Sequence, residues 1–242
     1  MAVHPSGDFL FVAEQGSNKV TTYRINRSDG SLSTAGSFGT GAAPIALNTD
    51  FSGRFLYVSN FNSHDISAYA INTSTGALTA VAGSPFMSGT QPITLSGTSK
   101  DMYISANDLM YAYSISSSGA LTQVSGSPFV EPEMGNELNS FMVDPLHSLL
   151  IYTGVGFTAG TDDMWSVAIQ SNGTLANGNP GGSVNSPSLM ILDPSYRYVY
   201  IEEFINFLGV ASLSYSSTGT FTNLSGPLDL HGATPAQLAV AP

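Results

Sequence analysis

Short apolar runs separated by polar turns recur throughout the chain. In the stretch 44–92 these runs are 45–48, 55–58, 66–71 and 78–81, and Gly, Ser, Asn, Asp or Pro residues lie between them. Short runs bounded by turn-forming residues are typical of β-strands, and the 3.6-residue periodicity of amphipathic helices is absent. The pattern therefore predicts four strands, which we name a, b, c and d in chain order.

The four-strand pattern repeats in register along the chain. The third position of strand b is aromatic or aliphatic each time, at steps of 46, 46, 48 and 49 residues: Phe11, Tyr57, Tyr103, Ile151 and Tyr200. The turn between strands c and d contains a glycine each time: Gly30, Gly76, Gly119, Gly173 and Gly219. The sequence therefore predicts five repeat units, at about 1–44, 45–92, 93–140, 141–187 and 188–235, followed by a last segment, 236–242.

A period in the forties with four strands per unit is the signature of a β-propeller, in which each unit is a small twisted sheet called a blade. We therefore predict an all-β fold of four-stranded antiparallel blades that form a single domain over residues 1–242. In strand c, the equivalent residues Tyr23, Tyr69 and Tyr113 are predicted to be buried between adjacent blades.

The two ends of the chain have the same sequence phase, because residues 1–5 (MAVHP) match residues 238–242 (LAVAP). A propeller closes its ring when a strand from one terminus completes the blade that the other begins, which leaves no open sheet edge. We therefore predict a monomeric five-bladed ring in which the strand 236–242 pairs with 9–12 and the first few residues are displaced or frayed. The alternative is an open arc from a seven-bladed parent, which would dimerise to cover its ends.

Three segments carry a resemblance to a known family: residues 1–25 (MAVHPSGDFLFVAEQGSNKVTTYRI), residues 52–86 (SGRFLYVSNFNSHDISAYAINTSTGALTAVAGSPF) and residues 238–242. They resemble the repeats of the lactonase-type seven-bladed propellers, which include 6-phosphogluconolactonase-like and muconate-lactonizing enzymes. The resemblance implies a propeller that hydrolyses a lactone with His, Glu and Arg side chains in its channel. No motif in this sequence assigns those roles to particular positions.

The chain is acidic, with 17 Asp and Glu against 6 Lys and Arg and a formal net charge of −11. Nucleic-acid binding requires clustered basic residues, and the scattered ones here exclude such a partner. The scarcity of Lys and Arg side chains also disfavours a phosphorylated substrate. The sequence has no run of 18 apolar residues, so no membrane span is predicted, and the absence of cysteine excludes disulfides. The composition favours an exported bacterial protein. Because residues 1–3 enter the first repeat directly, we expect that any export signal has been removed or never existed.

In a propeller the b–c and d–a loops lie at one end of each blade, and the a–b and c–d turns lie at the other. Loops on a rigid scaffold usually carry function, which favours the first end. The predicted catalytic residues there are Glu203, Glu202 and His64, because a carboxylate and a neutral imidazole can activate water toward a lactone carbonyl. His4 and His147 fall in a–b turns and are predicted to be structural.

Polar and acidic side chains in the same loops are the predicted substrate-binding residues. The longest loops, 130–140 and 154–163, are acidic or end in acidic residues, which would suit a polyol or a divalent cation; no cofactor is predicted, because the spacing matches no metal motif. The predicted binding residues are Gln15, Asn60, Asp65, Asn107, Asp108, Glu131, Glu133, Asp162, Asp163 and His231. The favoured function is a lactonase acting on a small cyclic ester or sugar lactone. The alternative is a non-catalytic propeller that binds a glycan or a protein on its acidic loops.

Overall fold

The computed structural model describes residues 1–107, 109–129, 138–155, 162–176, 178–184, 187–203 and 209–229. These residues form 21 strands. The first sheet contains β1 (Ala2–Val3), β2 (Phe9–Glu14), β3 (Lys19–Ile25) and β4 (Leu32–Gly39). The second contains β5 (Pro44–Thr49), β6 (Phe55–Asn60), β7 (Asp65–Ile71), β8 (Leu78–Ala80) and β9 (Phe86–Met87).

The remaining three sheets have four strands each. The third contains β10 (Pro92–Gly97), β11 (Asp101–Ala106), β12 (Leu109–Ile115) and β13 (Leu121–Gln123). The fourth contains β14 (Leu138–Asp144), β15 (Leu149–Val155), β16 (Asp162–Ala168) and β17 (Asn179–Val184). The fifth contains β18 (Pro187–Leu192), β19 (Tyr198–Glu203), β20 (Gly209–Tyr215) and β21 (Phe221–Asp229).

Each sheet joins its strands in chain order, and every pairing is antiparallel. This is the a–b–c–d order of a propeller blade, so the predicted all-β fold of four-stranded antiparallel blades is confirmed. The second blade adds the short strand β9, which pairs with β7 and was not predicted.

The chain divides into two compact units, Met1–Phe129 and Val130–Pro242. The first unit contains three blades and the second contains two. The prediction of a single domain over residues 1–242 stays a prediction.

Adjacent blades within each unit pack apolar side chains from their strands against one another. One cluster joins the first and second blades and contains Phe9, Phe11, Val20, Leu56, Val58 and Tyr69. A second joins the second and third blades and contains Phe55, Tyr57, Val81, Met102, Ile104 and Tyr113. A third, in the second unit, contains Leu149, Ile151, Met164, Val199, Ile201 and Leu213. Strand b of the second blade, β6, is buried on both faces because one face packs against the first blade and the other packs against the third.

Tyrosine hydroxyls from strand c connect successive blades. The Tyr69 hydroxyl donates to the Gly39 carbonyl at the end of β4, and Tyr113 donates to the Met87 carbonyl of β9 at 2.9 Å. Both side chains are buried, as predicted. Tyr23, at the same position in the first blade, is only half-buried, so the prediction is wrong for this residue.

In the second, third and fifth blades, the glycine of the c–d turn allows the turn to lie directly against the preceding blade. Gly76 has a φ of +77°, which favours glycine, and a β-carbon there would lie 2.6 Å from Phe9 Cδ1. A β-carbon at Gly119 would overlap the Phe55 ring in the same way, and the Gly119 carbonyl accepts a 2.9 Å hydrogen bond from the Tyr57 hydroxyl. These turns need glycine for both backbone conformation and close approach.

The start of the chain contradicts one prediction. Ala2 and Val3 form β1, which pairs with Phe11 and Leu10 of β2, so the first residues are not displaced from the first blade. The predicted closing strand, 236–242, lies outside the described residues, and ring closure stays a prediction.

Candidate functional site

The b–c loop of the second blade contains a network of polar side chains. Asn60 is fully buried, and its Nδ2 donates to Asp65 Oδ1 at 2.6 Å and to Ser67 Oγ at 2.9 Å. Ser63 Oγ donates to the same oxygen of Asp65 at 3.1 Å. Asn60 Oδ1 accepts no hydrogen bond from the described residues, which leaves a buried acceptor in this loop. The structure therefore brings together two of the predicted binding residues, Asn60 and Asp65.

The first blade has an equivalent network, in which the carboxylate belongs to Glu14 at the end of its strand b, β2. Glu14, which lies 46 residues before Asn60, accepts hydrogen bonds from Ser17 Oγ at 2.7 Å and Thr21 Oγ1 at 2.5 Å. These two hydroxyls, with Thr21 contributing more, hold the pKa of the Glu14 carboxyl below its usual range. Because the network recurs, holding the loop in shape is one function of Asn60 and Asp65.

His64 connects its loop to the d–a loop that leads into the third blade. Its Nδ1 accepts a 3.0 Å hydrogen bond from the backbone N–H of Gln91. In the first blade Asn18, 46 residues earlier, accepts a 2.9 Å hydrogen bond from the backbone N–H of Ala43 in the same way. Both acceptors have a positive φ, 58° for His64 and 54° for Asn18. The equivalent asparagine shows that this tie does not require an imidazole.

The hydrogen bond to Nδ1 also limits the chemistry of His64. A neutral imidazole whose Nδ1 accepts a hydrogen bond carries its proton on Nε2. In this tautomer His64 can donate a hydrogen bond from Nε2, whereas its lone pair is already engaged. A role as hydrogen-bond donor therefore fits the geometry of His64 better than a role as general base.

Glu202 is a buried carboxylate at the b–c end of β19, with 3% of its surface exposed. The equivalent positions in the other blades carry small side chains: Ala13, Ser59, Ser105 and Thr153. Glutamate is rarely buried to this extent, and a buried carboxylate in a loop-bearing end of a scaffold is a candidate functional group. The repeat pattern contained this signal, because Glu202 is the only charged residue at its position in the five units.

The backbone beside Glu202 is irregular. Strand β18 pairs Pro187 with Glu203 and Met190 with Ile201, so the register shifts opposite Glu202. The a strands of the second, third and fourth blades carry the same type of irregularity at this end. Bulges are frequent next to functional sites because they re-aim a side chain.

The other predicted site residues of the second unit are placed by their backbone pairing. Glu203 pairs with Gly209 at the b–c end of the fifth blade, and Asp163 and Asp162 pair with Gly154 and Val155 at the b–c end of the fourth. Of the remaining predictions, Gln15 and Asn107 are exposed. Asp108, Glu131, Glu133 and His231 lie outside the described residues.

Two histidines lie at the opposite, a–b end of their blades. His4 is buried, and its Nε2 lies 2.8 Å from the Gly53 carbonyl of the next blade. His147 Nδ1 lies 2.5 Å from Asp144 Oδ2, which also accepts a 2.9 Å hydrogen bond from the Tyr215 hydroxyl. Burial and, secondly, the Asp144 charge raise the pKa of Tyr215. Both histidines hold a–b turns in place: His4 contacts the turn of the next blade, and His147 contacts Asp144 in its own turn.

The basic residues are segregated from the candidate site. Lys19 begins β3 at the b–c end of its blade, whereas the other basic residues lie at or near the a–b and c–d turns: Arg24, Arg27, Arg54, Lys100 and Arg197. Arg27 forms a 2.9 Å ion pair with Asp8, and Arg24 donates to the Ser74 carbonyl at 2.7 Å. The b–c ends of the blades are therefore short of positive charge.

Two other features are absent from the described part of the chain. No group of three His, Asp or Glu side chains comes together there as a metal site. None of the described segments forms a helix with the length and apolar character needed to span a bilayer.

The structure therefore consists of propeller-type blades, with polar and acidic candidate residues at the b–c ends of blades in each unit. Comparison with known families finds a similarity for the first part of the chain. Residues 1–95 match the family described as "Lactonase, 7-bladed beta-propeller", which confirms the resemblance over the first two units of the sequence. No curated protein matches the sequence.

Solved structures share the fold at low sequence identity. A proposed 6-phosphogluconolactonase from Bacteroides uniformis is 15% identical with a TM-score of 0.69, over 94% of this chain and 71% of that one. A periplasmic gluconolactonase from Pseudomonas aeruginosa is 13% identical with a TM-score of 0.68, over 92% and 68%. Hydrazine synthase from Kuenenia stuttgartiensis is 15% identical with a TM-score of 0.63, over 94% and 65%. These likenesses show the fold alone, since the fold supports unrelated chemistry.

Proposed function

We propose that the protein is a lactonase-like hydrolase that opens a small, uncharged lactone. The observation that carries the proposal is the buried carboxylate of Glu202 at the b–c end of the fifth blade. The match of residues 1–95 to the lactonase family and the likeness to a gluconolactonase support the reaction type.

In this proposal Glu202 is the general base, and Glu203 is the alternative at the adjacent position. The carboxylate takes a proton from a water molecule as the water oxygen attacks the lactone carbonyl. The ring C–O bond then breaks, and the proton passes to the departing alkoxide, so the product is a hydroxy acid. His64, with its proton on Nε2, would serve as a hydrogen-bond donor to the carbonyl oxygen; its participation in the same site as Glu202 stays a prediction.

The distribution of charge supports an uncharged substrate. The basic residues other than Lys19 lie at the turn ends of their blades, whereas Glu14, Asp65, Glu202 and Glu203 lie at the loop ends. A phosphorylated lactone bound beside Glu202 would meet repulsion from that carboxylate, with little compensating positive charge at the loop ends. We therefore infer a neutral sugar lactone or aliphatic lactone. We also infer an exported protein, which the periplasmic neighbour and the acidic composition support.

The test is hydrolysis of δ-gluconolactone. The reaction is monitored through the acid that it releases in weakly buffered solution. Glu202→Gln keeps the size of the side chain and removes its basicity, so kcat should fall by about 100-fold or more with the melting temperature nearly unchanged. Glu203→Gln is tested in parallel. The matched control is Glu14→Gln, which alters a loop carboxylate of the first blade and should retain full activity.

Two outcomes would overturn the proposal. If the wild-type protein hydrolyses neither δ-gluconolactone nor simple aliphatic lactones, the non-catalytic binding propeller is the remaining hypothesis. Full activity in both glutamine variants would remove these carboxylates from the mechanism. Faster hydrolysis of 6-phosphogluconolactone than of δ-gluconolactone would refute the inferred substrate class alone.

His64 is tested by two substitutions that separate its structural and chemical roles. Asparagine supplies an acceptor at this position in the first blade, so His64→Asn should retain the tie to Gln91 and the melting temperature, whereas His64→Ala should lower it. If His64 donates to substrate, His64→Asn loses activity despite its stability. Retained activity in His64→Asn would assign the residue to loop structure only.

A further inference from the structure

The d–a loop between the second and third blades contains a short segment, residues 88–91, that is anchored through one residue. Among the described residues, two hydrogen bonds join this segment to another part of the chain, and both end on His64. The backbone N–H of Ser88 donates to the His64 carbonyl at 3.2 Å, and the backbone N–H of Gln91 donates to His64 Nδ1 at 3.0 Å. The position of segment 88–91 therefore depends on His64.

The equivalent segment between the first and second blades, residues 40–43, has more anchors. Asn18 accepts hydrogen bonds in the same two ways, from the backbone N–H groups of Thr40 and Ala43, each at 2.9 Å. Four further hydrogen bonds join segment 40–43 to the second blade, through Phe61, Asn62, Ser63 and Ser67. Loss of one hydrogen bond to Asn18 would leave segment 40–43 held by the others, whereas segment 88–91 has no such reserve among the described residues.

The backbone of Gln91 also needs an anchor. Its φ is +55°, in the left-handed region that residues with a β-carbon rarely adopt. Such a conformation persists only where surrounding contacts hold it in place. Without an acceptor for its N–H, Gln91 can leave this conformation, and segment 88–91 can move with it.

The hydrogen bond from Gln91 exists in only one protonation state of His64. A neutral imidazole can accept a hydrogen bond at one nitrogen, whereas the doubly protonated ring carries N–H groups at both nitrogens and accepts at neither. Asn18 accepts through an amide oxygen, which keeps its lone pairs at every physiological pH. Of the two equivalent ties, only the one at His64 can therefore respond to pH.

Other titratable groups face His64 from the elements packed around it. Asp65 follows His64 in the same loop, and the third blade contributes Tyr111, against which segment 88–91 packs, and Tyr113, whose hydroxyl donates to the residue before the segment. Burial raises the pKa of Tyr113 to about 12. Segment 88–91 itself has no titratable side chain. Among these residue types, histidine is the one whose charge ordinarily changes between about pH 5 and 8.

We propose that His64 is a pH-operated latch, which holds segment 88–91 when its ring is neutral and releases it when its ring is protonated. As the pH falls, a proton occupies Nδ1, and the N–H groups of His64 and Gln91 then oppose each other. Strand β10 begins at Pro92, directly after the segment, so release changes the loop end of the third blade. The latch does not depend on lactone hydrolysis.

The test is amide hydrogen exchange, measured by NMR on the isotope-labelled protein at about pH 7.5 and about pH 5. Each rate is divided by the rate of an unstructured peptide of the same sequence, which gives a protection factor. The protection factor of the Gln91 amide should fall by about fivefold or more at the lower pH, because one hydrogen bond is lost. The Ala43 amide is the internal control and should keep its protection. The nitrogen chemical shifts of the His64 ring report proton uptake at Nδ1 in the same samples.

The matched variant is His64→Asn, which places at this position the residue that anchors segment 40–43. Its Gln91 amide should have the same protection at both pH values. Constant protection of Gln91 in the wild type overturns the proposal, and so does an equal fall in His64→Asn. A fall at a pH where the His64 ring does not titrate also overturns it. An equal fall at Ala43 would do the same, because it would indicate general loosening of the unit.

Discussion

Removing the Tyr69 side chain tests whether contacts between blades stabilise the first unit. The ring is 6% exposed in a cluster with Phe9, Leu56 and Val58, and its hydroxyl donates to the Gly39 carbonyl. A buried tyrosine covers roughly 200 Å², which at about 25 cal/mol per Å² corresponds to about 5 kcal/mol before the surface that alanine retains is subtracted. We therefore expect Tyr69→Ala to lower the free energy of unfolding by about 3 to 4 kcal/mol.

Two further variants divide this loss into parts. Tyr69→Phe removes only the hydroxyl and should cost about 1 kcal/mol. Tyr23→Ala changes the half-buried equivalent in the first blade and should cost less than half as much as Tyr69→Ala. The assay is urea denaturation monitored by circular dichroism at low protein concentration. Tryptophan fluorescence is not used, because the single tryptophan, Trp165, belongs to the second unit. A loss below about 1 kcal/mol for Tyr69→Ala, or equal losses at Tyr69 and Tyr23, would refute the reasoning.

Two other predictions concern a turn and a carboxylate. Gly76→Ala should lower the free energy of unfolding in urea by about 3 kcal/mol or more, because its β-carbon would meet Phe9. The control Gly126→Ala, at φ +87° with no atom nearer than 3.8 Å, should lower it by only about 1–2 kcal/mol. Equal losses would contradict the close-approach argument. Since the folded-state pKa of Glu14 is lowered from 4.5, its stabilisation is present above that pH and is lost as pH falls through the folded pKa. Glu14→Gln should therefore lower the urea midpoint more at about pH 7 than at about pH 3, and a loss of equal size at both pH values would count against the assigned hydrogen bonds.

The fold could be predicted closely because each strand repeats a local signal five times. The predicted strands 45–48, 55–58, 66–71 and 78–81 correspond to β5 to β8 with small shifts at their ends. The additional strand β9 could not be predicted, because two residues carry no periodicity. The pairing of β1 was missed because residues 1–5 and 238–242 have the same sequence phase. Sequence phase does not decide which of the two pairs with β2.

The candidate site was less accessible to prediction because polar residue types do not distinguish loop ties from binding groups. Asn60 and Asp65 were predicted as binding residues, and the structure also gives them a structural network that Glu14 repeats in the first blade. The 46-residue step from Asn18 to His64 was visible in the sequence and pointed to the same tie. Only the structure shows that Glu202 is buried. Its unusual residue type among the five repeats can be seen in the sequence.

The glycine turns that the second, third and fifth blades place against the preceding blade have a consequence for how such proteins change in size. Because the second, third and fifth blades use the same contact, a duplicated unit would carry both a turn and a receiving face that already fit its neighbours. Insertion or loss of one whole unit by recombination would then leave every remaining contact of the same type. Evolution could vary the number of blades in this way without inventing a new interface.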